Sequence, residues 1–379
     1  MKIAFYTNFL THHQLPFCLE MYKIYGDDFV FISTEKINKE RINLGYEDMD
    51  SKYSFVLKAY ENKENFNQAL KLAENCDIAI FGSTTSDIYA KERLKEDKLS
   101  FRYYARIFYK GMFSILDFKN LKKVNERHFK YKKNKNLYLL CSSSFAPNDF
   151  YKFGMYKNKC YKWGYFPEFK EYDIDNLIKQ KDKNTILWVG RFIKQKHPEY
   201  VVKLAKELKK ENCEFKIKMI GNGVLFNKIK NQIEKYKLHN EVELVGAVES
   251  NKVRDYMEKA RIFICTSNKE ERWAVVINEA MNSGCAVNAY KYIGAAPFLI
   301  DNKNGMEYSN FKDFYNKTKY LLNNKDECTK FGKKAYEAIS NKWTAKVAAS
   351  NFDKMVKCIL ENKQNEVKEG AGSIAQPVK

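Results

Sequence analysis

Two glutamates, Glu271 and Glu279, stand out as candidate binding groups. Glu271 lies in a polar loop after the apolar run Ile262–Cys265, whereas Glu279 lies in a segment whose apolar residues recur with a helical period. A helix that begins near Ala274 would present unpaired N–H groups and a positive dipole end, which suit a bound phosphate. Carboxylates beside that end could hold hydroxyls of a sugar or ribose. The stretch therefore predicts a nucleotide-sugar site.

Two further loops carry groups that suit a diphosphate. Gly190 is followed by Arg191 and Lys196 between a predicted strand and a predicted helix. A fixed guanidinium binds a diphosphate through paired hydrogen bonds, and an ammonium binds it as a point charge. A second glycine loop, residues 221–223, follows the next predicted strand. Each loop alone also fits an ordinary turn in a lysine-rich chain.

The elements that must position these groups alternate between strand and helix. Such alternation indicates parallel sheets covered on both faces, with ligands bound beyond the carboxyl ends of the strands. In the first half we predict strands at 2–6, 29–33, 77–82 and 137–141 and helices at 16–25 and 66–75. In the second half we predict strands at 185–190, 215–220, 242–246, 262–265 and 285–287, and helices at 198–208 and 224–236.

Residues 161–167 break the alternation and are interpreted as a linker, so we predict two Rossmann-like, doubly wound domains facing a cleft, with helices at the C-terminus. Those helices are predicted at 310–322, 325–340 and 344–361. The tail has few apolar residues and is predicted to be disordered. We predict an acceptor-binding domain at 1–165 and a nucleotide-sugar domain at 166–345. A helix at 346–363 is predicted to return toward the first domain, and the tail comprises 364–379.

Composition limits the class of protein. With 379 residues and 45% hydrophobic residues, the chain is long and apolar enough for two globular domains. No apolar run approaches the roughly 20 residues that span a bilayer, and the start of the chain does not resemble a secretory signal. We therefore expect a cytoplasmic protein. Nine scattered cysteines argue against a zinc site or a disulfide framework, so no metal is expected.

The net charge of +20 would attract nucleic acid, anionic lipid or phosphorylated substrates. Dispersed lysines are also what an A- and T-rich coding sequence produces. Basic residues concentrate between 118 and 135, after a run of aromatic residues at 101–109. This combination suits binding of residues 101–135 to the inner membrane surface. A solvent-exposed face of the protein explains it equally well. We find no nucleic-acid-binding motif and expect no nucleic-acid partner.

Together these motifs resemble glycosyltransferase family 4. The resemblance is strong over 185–308 and faint over the first half. It implies the GT-B fold and a retaining transfer from a nucleoside-diphosphate sugar, UDP- or GDP-linked, without a metal or another cofactor. The motifs that carry it are Gly190-Arg191 with Lys196, Gly221-Asn222-Gly223, Glu271 to Glu279, Ile293 to Ile300, and Asn304-Gly305.

The resemblance also implies roles for individual residues. Arg191 and Lys196 would stabilise the diphosphate leaving group, and Glu271 would contact hydroxyls of the donor sugar. Glu279 would hold the ribose hydroxyls. The acceptor proton would pass to a donor phosphate oxygen, so no protein base is required. Further donor contacts would come from Gly190, Asn222, Gly223, Arg272, Trp273, Ala274, Val275 and Val276.

The sequence departs from the family pattern at two places. Arg272 replaces a glycine that usually follows the first glutamate, and it either points away or contacts a carboxylate on an acidic donor sugar. Near the start, His12 and His13 stand where many members have paired glycines. Either histidine could touch the diphosphate or the acceptor, and a structural role at the helix start is an equal alternative.

The resemblance predicts a retaining glycosyltransferase that uses a saccharide or lipid-linked acceptor and that is either free in the cytoplasm or peripheral at the inner face of the cell membrane. Surface-polysaccharide synthesis, such as capsule or lipopolysaccharide synthesis, is the expected context. Two alternatives stay open: a GT-B nucleotide-sugar epimerase or phosphorylase, and a basic nucleic-acid-binding protein. An epimerase would want further acidic groups and histidines in the cleft.

Overall fold

The computed structural model describes residues 1–39, 42, 47–109, 114 and 117–378. The chain forms two compact units. The first unit comprises Met1–Glu168 and Lys342–Lys379, and the second comprises Phe169–Asn341. The boundaries that we predicted after residues 165 and 345 differ from these by three and four residues.

The first unit contains a seven-stranded parallel sheet. Its strands are β1 Ile3–Thr7, β2 Phe29–Ser33, β3 Val56–Lys58, β4 Ile78–Phe81, β5 Ser100–Tyr104, β6 Leu137–Cys141 and β7 Cys160–Lys162. Their order in the sheet is β3-β2-β1-β4-β5-β6-β7. The central strand, β4, is buried along its whole length, as expected for a sheet covered on both faces. The α-helices are Leu15–Tyr25, Lys63–Asn75, Ile88–Lys95, Phe118–Arg127, Ala146–Tyr151 and Ala345–Leu360.

The second unit contains a six-stranded parallel sheet. Its strands are β8 Thr185–Val189, β9 Lys216–Ile220, β10 Val242–Gly246, β11 Ile262–Cys265, β12 Ala286–Tyr290 and β13 Met306–Tyr308. Their order in the sheet is β10-β9-β8-β11-β12-β13. The two doubly wound sheets and the C-terminal helices confirm the predicted fold class. The α-helices are Ile174–Gln180, Pro198–Lys210, Phe226–Lys235, Val253–Lys259, Val275–Asn282, Ala296–Leu299, Phe311–Asn323 and Lys325–Lys342.

Part of the predicted linker at 161–167 belongs to the sheet instead. Cys160–Lys162 forms β7, which pairs in parallel with β6. The prediction was wrong there because the nearby glycine and proline obscured a strand of three residues. The aromatic part of the predicted membrane surface also needs correction. Phe101 lies in β5 inside the sheet and is 0% exposed. Residues 110–113, 115 and 116 of the predicted surface lie outside the described residues.

The tail predicted to be disordered, 364–379, is packed on the first unit as far as residue 378: residues 372–375 contact β7, and Val378 is hydrogen-bonded to the Asn148 side chain. Tyr161 and Ile374 form an antiparallel bridge. The Lys162 N–H donates to the Ser373 carbonyl oxygen over 2.7 Å. The prediction was wrong because it counted apolar side chains, whereas backbone hydrogen bonds and small buried residues hold this segment.

Removing residues 364–379 is expected to lower the melting temperature. The truncation would expose the edge of β7 and leave its backbone groups without their partners, at a cost of about 1 kcal/mol for each lost hydrogen bond. A thermal denaturation curve measures the effect. The control is Gln376→Ala, which changes one exposed side chain in the same segment. Equal melting temperatures for the truncated and intact chains would contradict the packing described above.

Candidate functional site

The candidate site of the second unit lies where the strand order of its sheet reverses. From β8 the chain continues to β9 on one side and later returns to β11 on the other. Crevices at such switch points are where doubly wound sheets bind ligands. The loop after β8, residues 190–197, is called here the cation loop. The loop after β11, residues 266–274, is called the acidic loop.

Hydrogen bonds join these two loops. The Thr266 hydroxyl donates to the Lys196 carbonyl oxygen over 2.6 Å and accepts from the Trp188 indole N–H over 2.7 Å. The Asn268 N–H donates to the Gln195 carbonyl oxygen over 2.8 Å. The cation loop and the acidic loop are therefore held at a fixed separation before any ligand binds.

Lys196 and Glu271 form an ion pair across the two loops. Their side chains are only 16% and 14% exposed. The structure thus brings together two residues that the sequence predicted for one site. An ammonium has three N–H donors, so Lys196 can hold Glu271 and a further oxygen at the same time. The Glu271 carbonyl oxygen accepts from the Gly294 N–H over 3.0 Å, which ties the acidic loop to the loop after β12.

A helix begins directly after the acidic loop. This site helix, Val275–Asn282, starts at Ala274, which adopts a left-handed conformation with φ +68°. No side chain of the described residues caps it. Its first N–H groups are thus open to an external acceptor, and the positive dipole end favours an anion. The left-handed conformation is costly for alanine, and such strain is often kept at functional sites.

Glu279 lies one helical turn after Val275 and Val276, on the same face of the site helix. Its side chain is half-buried, and burial raises its pKa to about 7. The nearby charge of Arg254 opposes that rise. A carboxylate kept partly desolvated at this place is poised to accept hydrogen bonds from ligand hydroxyls.

Two buried polar residues, one on a neighbouring helix and one in the site helix itself, were not predicted. Arg254 is 7% exposed and donates to the Asn282 side-chain oxygen. Asn278 is 1% exposed and accepts from the Trp273 indole N–H over 2.9 Å. Asn278 could have been noticed as an amide on the apolar face of a helix, whereas the sequence around Arg254 carries no signal. Trp273 is 2% exposed, so its indole ring is not available to a ligand.

The two glycine loops pack against each other at the ends of β8 and β9. A Cβ on Gly221 would lie 2.0 Å from the Gly190 carbonyl oxygen, and a Cβ on Gly223 would lie 2.7 Å from that of Phe192. The Phe192 N–H donates to the Asn222 carbonyl oxygen over 2.9 Å. Glycine is therefore required for close approach of the backbones.

Gly221→Ala is expected to destabilise the second unit by about 1–3 kcal/mol, because the new methyl group overlaps the Gly190 carbonyl oxygen. Chemical denaturation measures the loss. Gly246→Ala is the matched control, since Gly246 also has a positive φ but has nothing within 4 Å of the added carbon. Equal losses in the two variants would show that backbone conformation, and not the overlap, sets the cost.

The remaining predicted donor residues lie on these loops. Arg191 and Arg272 are exposed, on the cation loop and the acidic loop respectively. The Asn222 side-chain oxygen accepts from the Gly223 N–H over 2.7 Å and so stabilises its own loop. Contacts of these residues with a donor stay predictions.

His12 and His13 lie in the first unit, in the loop after β1, where that sheet also reverses its strand order. Their ring centroids are 3.8 Å apart. Burial lowers the pKa of His12, and it lowers that of His13 to about 3. His13 is therefore neutral near pH 7 and could contact a ligand only as a hydrogen-bonding group. Asp50 fixes this loop by accepting from the Leu10 N–H over 3.0 Å.

The fold of the chain is similar to the GT-B fold of solved structures. The Anabaena protein HepE, solved in complex with UDP, matches with a TM-score of 0.68 and 14% identity, covering 94% of this chain and 100% of that chain. At that identity the likeness concerns the fold. Residues 169–338, nearly the whole second unit, match the family model for glycosyl transferases group 1.

Curated relatives match over shorter stretches. An uncharacterized glycosyltransferase of Methanocaldococcus jannaschii is 31% identical over 115 residues, which cover 30% of this chain and 32% of that protein. A Staphylococcus aureus poly(ribitol-phosphate) alpha-N-acetylglucosaminyltransferase is 34% identical over 133 residues, which cover 34% of this chain and 26% of that protein. The matched stretches therefore span a third or less of these relatives.

The described residues lack a membrane-spanning helix and a cluster of metal-binding side chains. None of their helices combines the length and the apolar character that crossing a bilayer requires. They contain no group of three or more His, Cys, Asp or Glu side chains that could hold a metal ion.

Proposed function

We propose that this protein is a retaining glycosyltransferase that moves a sugar from a nucleoside-diphosphate sugar to a saccharide or lipid-linked acceptor. The observation that carries the proposal is the grouping at the switch point of the second sheet. There the Lys196–Glu271 ion pair, the uncapped start of the site helix and half-buried Glu279 lie on adjoining segments. A cation, open N–H groups and two carboxylates match the parts of a nucleotide sugar.

In this proposal the diphosphate lies against the start of the site helix and takes the free N–H donors of Lys196. Arg191, exposed on the same loop, adds a second positive charge. Glu279 accepts hydrogen bonds from the ribose hydroxyls. Glu271 accepts from hydroxyls of the donor sugar while it keeps its contact with Lys196. The two carboxylates thereby fix the donor at both ends of the diphosphate.

The reaction breaks the bond between the anomeric carbon and the diphosphate oxygen and forms a bond from the acceptor oxygen to that carbon on the same face. The acceptor proton passes to an oxygen of the departing diphosphate. Negative charge grows on the diphosphate as the bond breaks, so Lys196 and Arg191 stabilise the transition state more than the bound donor. No step requires a metal ion.

The acceptor is proposed to be part of a surface polysaccharide or a lipid-linked precursor. The Staphylococcus relative is named for a poly(ribitol-phosphate) acceptor, which makes phosphate-bearing polymers one class to test. A basic, partly apolar face of the first unit supports an acceptor held at a membrane. Phe118 is 78% exposed at the start of the helix Phe118–Arg127, beside exposed Lys119 and Lys122.

A thermal-shift screen tests the donor site. UDP, GDP, ADP, CMP and their sugar conjugates are added with and without EDTA, because a ligand that binds only the folded state raises the melting temperature. We expect one nucleoside diphosphate to raise it, with no effect of EDTA. Product analysis by NMR with that donor then tests retention. The absence of a shift with every nucleotide, or a shift that EDTA abolishes, would contradict the proposal.

Arg272→Gly tests the specificity for the donor sugar. If Arg272 binds a carboxylate, the variant is expected to lose about tenfold or more in kcat/KM with a uronic-acid donor and to keep its activity with the matching neutral donor. Competition between the two donors in one reaction measures the ratio directly. An unchanged ratio would show that the guanidinium does not contact the donor sugar.

A further inference from the structure

A cavity of about 740 Å³ opens on the first unit, between β6, β7, the end of the helix Ala345–Leu360 and the C-terminal tail. Its volume falls within the roughly 300–1,000 Å³ that is typical of ligand pockets. We call it the tail cavity. The proposed donor site uses none of its residues, because all of them belong to the first unit.

The tail forms one wall of this cavity and is firmly attached. The Ala375 N–H donates to the Cys160 carbonyl oxygen, and the Gly372 N–H donates to that of Lys162, each over 2.8 Å. The Asn365 side chain donates to the Gly372 carbonyl oxygen over 2.9 Å. The wall is thus held by hydrogen bonds to β7 and within the tail, and the cavity exists before any ligand binds.

The lining of the tail cavity is basic and rich in amides. Four of the described lining residues are lysines, five are Asn or Gln, and none is acidic. The lysines are Lys157, Lys159, Lys363 and Lys368. Lys159 donates to the Asn134 carbonyl oxygen over 3.2 Å, so it is fixed in place. The other three lysines are exposed, and Lys363 forms an ion pair with Glu361 over 2.7 Å at the surface, where an anionic ligand would compete for it. Ammonium groups attract anions, and amides both donate to and accept from hydroxyl groups.

Lys157 lies in a turn with unusual backbone conformations. Gly154, Tyr156 and Asn158 all have positive φ, at +66°, +55° and +59°. Two of these residues carry side chains, for which the left-handed region costs about 1 kcal/mol or more. The turn places Lys157 and Lys159 in the wall between the tail cavity and a second cavity of about 200 Å³. A ligand longer than one pocket could therefore contact both cavities along this wall.

The aromatic residues of the lining offer little surface for stacking a base. Tyr161 is 4% exposed, and the Lys159 ammonium lies 5.5 Å from the centre of the Tyr138 ring. Proteins that bind single-stranded nucleic acid rely on open aromatic faces. A ligand with anionic groups and many hydroxyls fits the lysines and amides better than a nucleic acid does.

We propose that the tail cavity binds a segment of an anionic glycan. Its anionic groups would contact Lys157, Lys363 and Lys368, and its hydroxyls would contact the amide side chains. The proposal rests on the proposed function in one respect, since it takes the polymer held there to be the acceptor or product. Binding at the cavity can be measured without donor, so each of the two proposals can fail alone.

The experiment measures binding of end-labelled oligomers to the full chain by fluorescence anisotropy at about 0.15 M salt, where long-range charge effects are screened. Hyaluronan oligosaccharides test carboxylates, and poly(glycerol phosphate) oligomers test phosphodiesters. Maltoheptaose is the neutral glycan, and an oligouridylate of equal charge is the nucleic acid. Binding of at least one anionic glycan is expected, with much weaker binding of maltoheptaose and of the oligouridylate.

The test variant is the triple substitution K157A/K363A/K368A. Its control, K71A/K91A/K179A, removes the same charge from three exposed lysines that do not line the cavity. We expect the test variant to weaken binding of the anionic glycan at least tenfold and the control to change it less than threefold. The corresponding triple lysine-to-arginine variant should keep most of the affinity, since it keeps the charge.

Three results would overturn the proposal. They are no binding of either anionic glycan by the unmodified protein, equal losses in the two alanine variants, and tighter binding of the oligouridylate. The thermal shift with nucleotide is recorded for every variant as a check on the fold and on the donor site. Loss of glycan binding with an unchanged nucleotide shift would place the effect in the tail cavity.

Discussion

Glu279→Gln is expected to weaken nucleotide-sugar binding at least tenfold, because a hydrogen bond to a charged acceptor contributes about 1.5–3 kcal/mol. The variant is also expected to be more stable than the unmodified protein at pH 8. A neutral amide of nearly the same shape removes the cost of holding a carboxylate in a partly desolvated place. Isothermal titration and chemical denaturation measure the two effects on the same samples.

The sign of the pH dependence follows from the raised pKa. Folded Glu279 keeps its proton up to about pH 7, whereas the unfolded chain loses it near pH 4.5. The folded state therefore binds more protons across this interval, and the contribution of Glu279 to the free energy of unfolding falls as pH rises from 4.5 to 7. The free energy of unfolding of Glu279→Gln should exceed that of the unmodified protein by roughly 1–3 kcal/mol above pH 7, and the difference should vanish below pH 4.5.

The protonation state of Glu279 also affects the binding of a nucleotide sugar. A nucleotide sugar should bind more tightly as pH rises through 7, because only ionised Glu279 accepts hydrogen bonds with both oxygens. Glu234→Gln is the control, since Glu234 is an exposed carboxylate on another helix of the same unit. If Glu279→Gln keeps full affinity, or if its stability follows that of the unmodified protein at every pH, the role assigned to Glu279 is wrong.

Lys196→Ala is expected to lower kcat/KM about 10²–10³-fold, which corresponds to the loss of one group that stabilises developing negative charge. The loss should appear mainly in kcat, because the charge on the diphosphate grows in the transition state. The substitution also leaves Glu271, which is 14% exposed, without its ion-pair partner. The melting temperature should fall for that reason. Steady-state kinetics with the donor found in the thermal-shift screen provide the measurement.

A double-mutant cycle separates the two effects. Because Lys196 and Glu271 contact each other, the stability losses of Lys196→Ala and Glu271→Gln should not add, and their coupling should amount to roughly 0.5–3 kcal/mol. Lys194→Ala removes an exposed lysine from the same loop and serves as the control. Additive stability losses, or an equal loss of activity in Lys194→Ala, would contradict the assignment.

The sequence alone determined the two doubly wound sheets and the segments of the second-unit site. Buried parallel strands are continuous apolar runs, and the runs at Ile3–Thr7 and Ile262–Cys265 were therefore visible without coordinates. Short elements were missed because three residues carry too little pattern. The strands Val56–Lys58 and Met306–Tyr308 are examples. The sequence did not show that the C-terminal tail is ordered, because backbone hydrogen bonds leave no signal in amino-acid composition.

Only the tertiary structure decided which of the predicted groups meet. The sequence separates Lys196 from Glu271 by 75 positions, and strand order makes them an ion pair by placing β8 beside β11. It likewise brings the charge of Arg254, a residue of another helix, close enough to Glu279 to oppose the rise in its pKa. Burial of a carboxylate and the separation of two loops depend on packing between distant segments. Local sequence patterns show which residue types are present and which segments form helices and strands. The tertiary fold decides the distances between these residues and the electrostatic environment of each side chain.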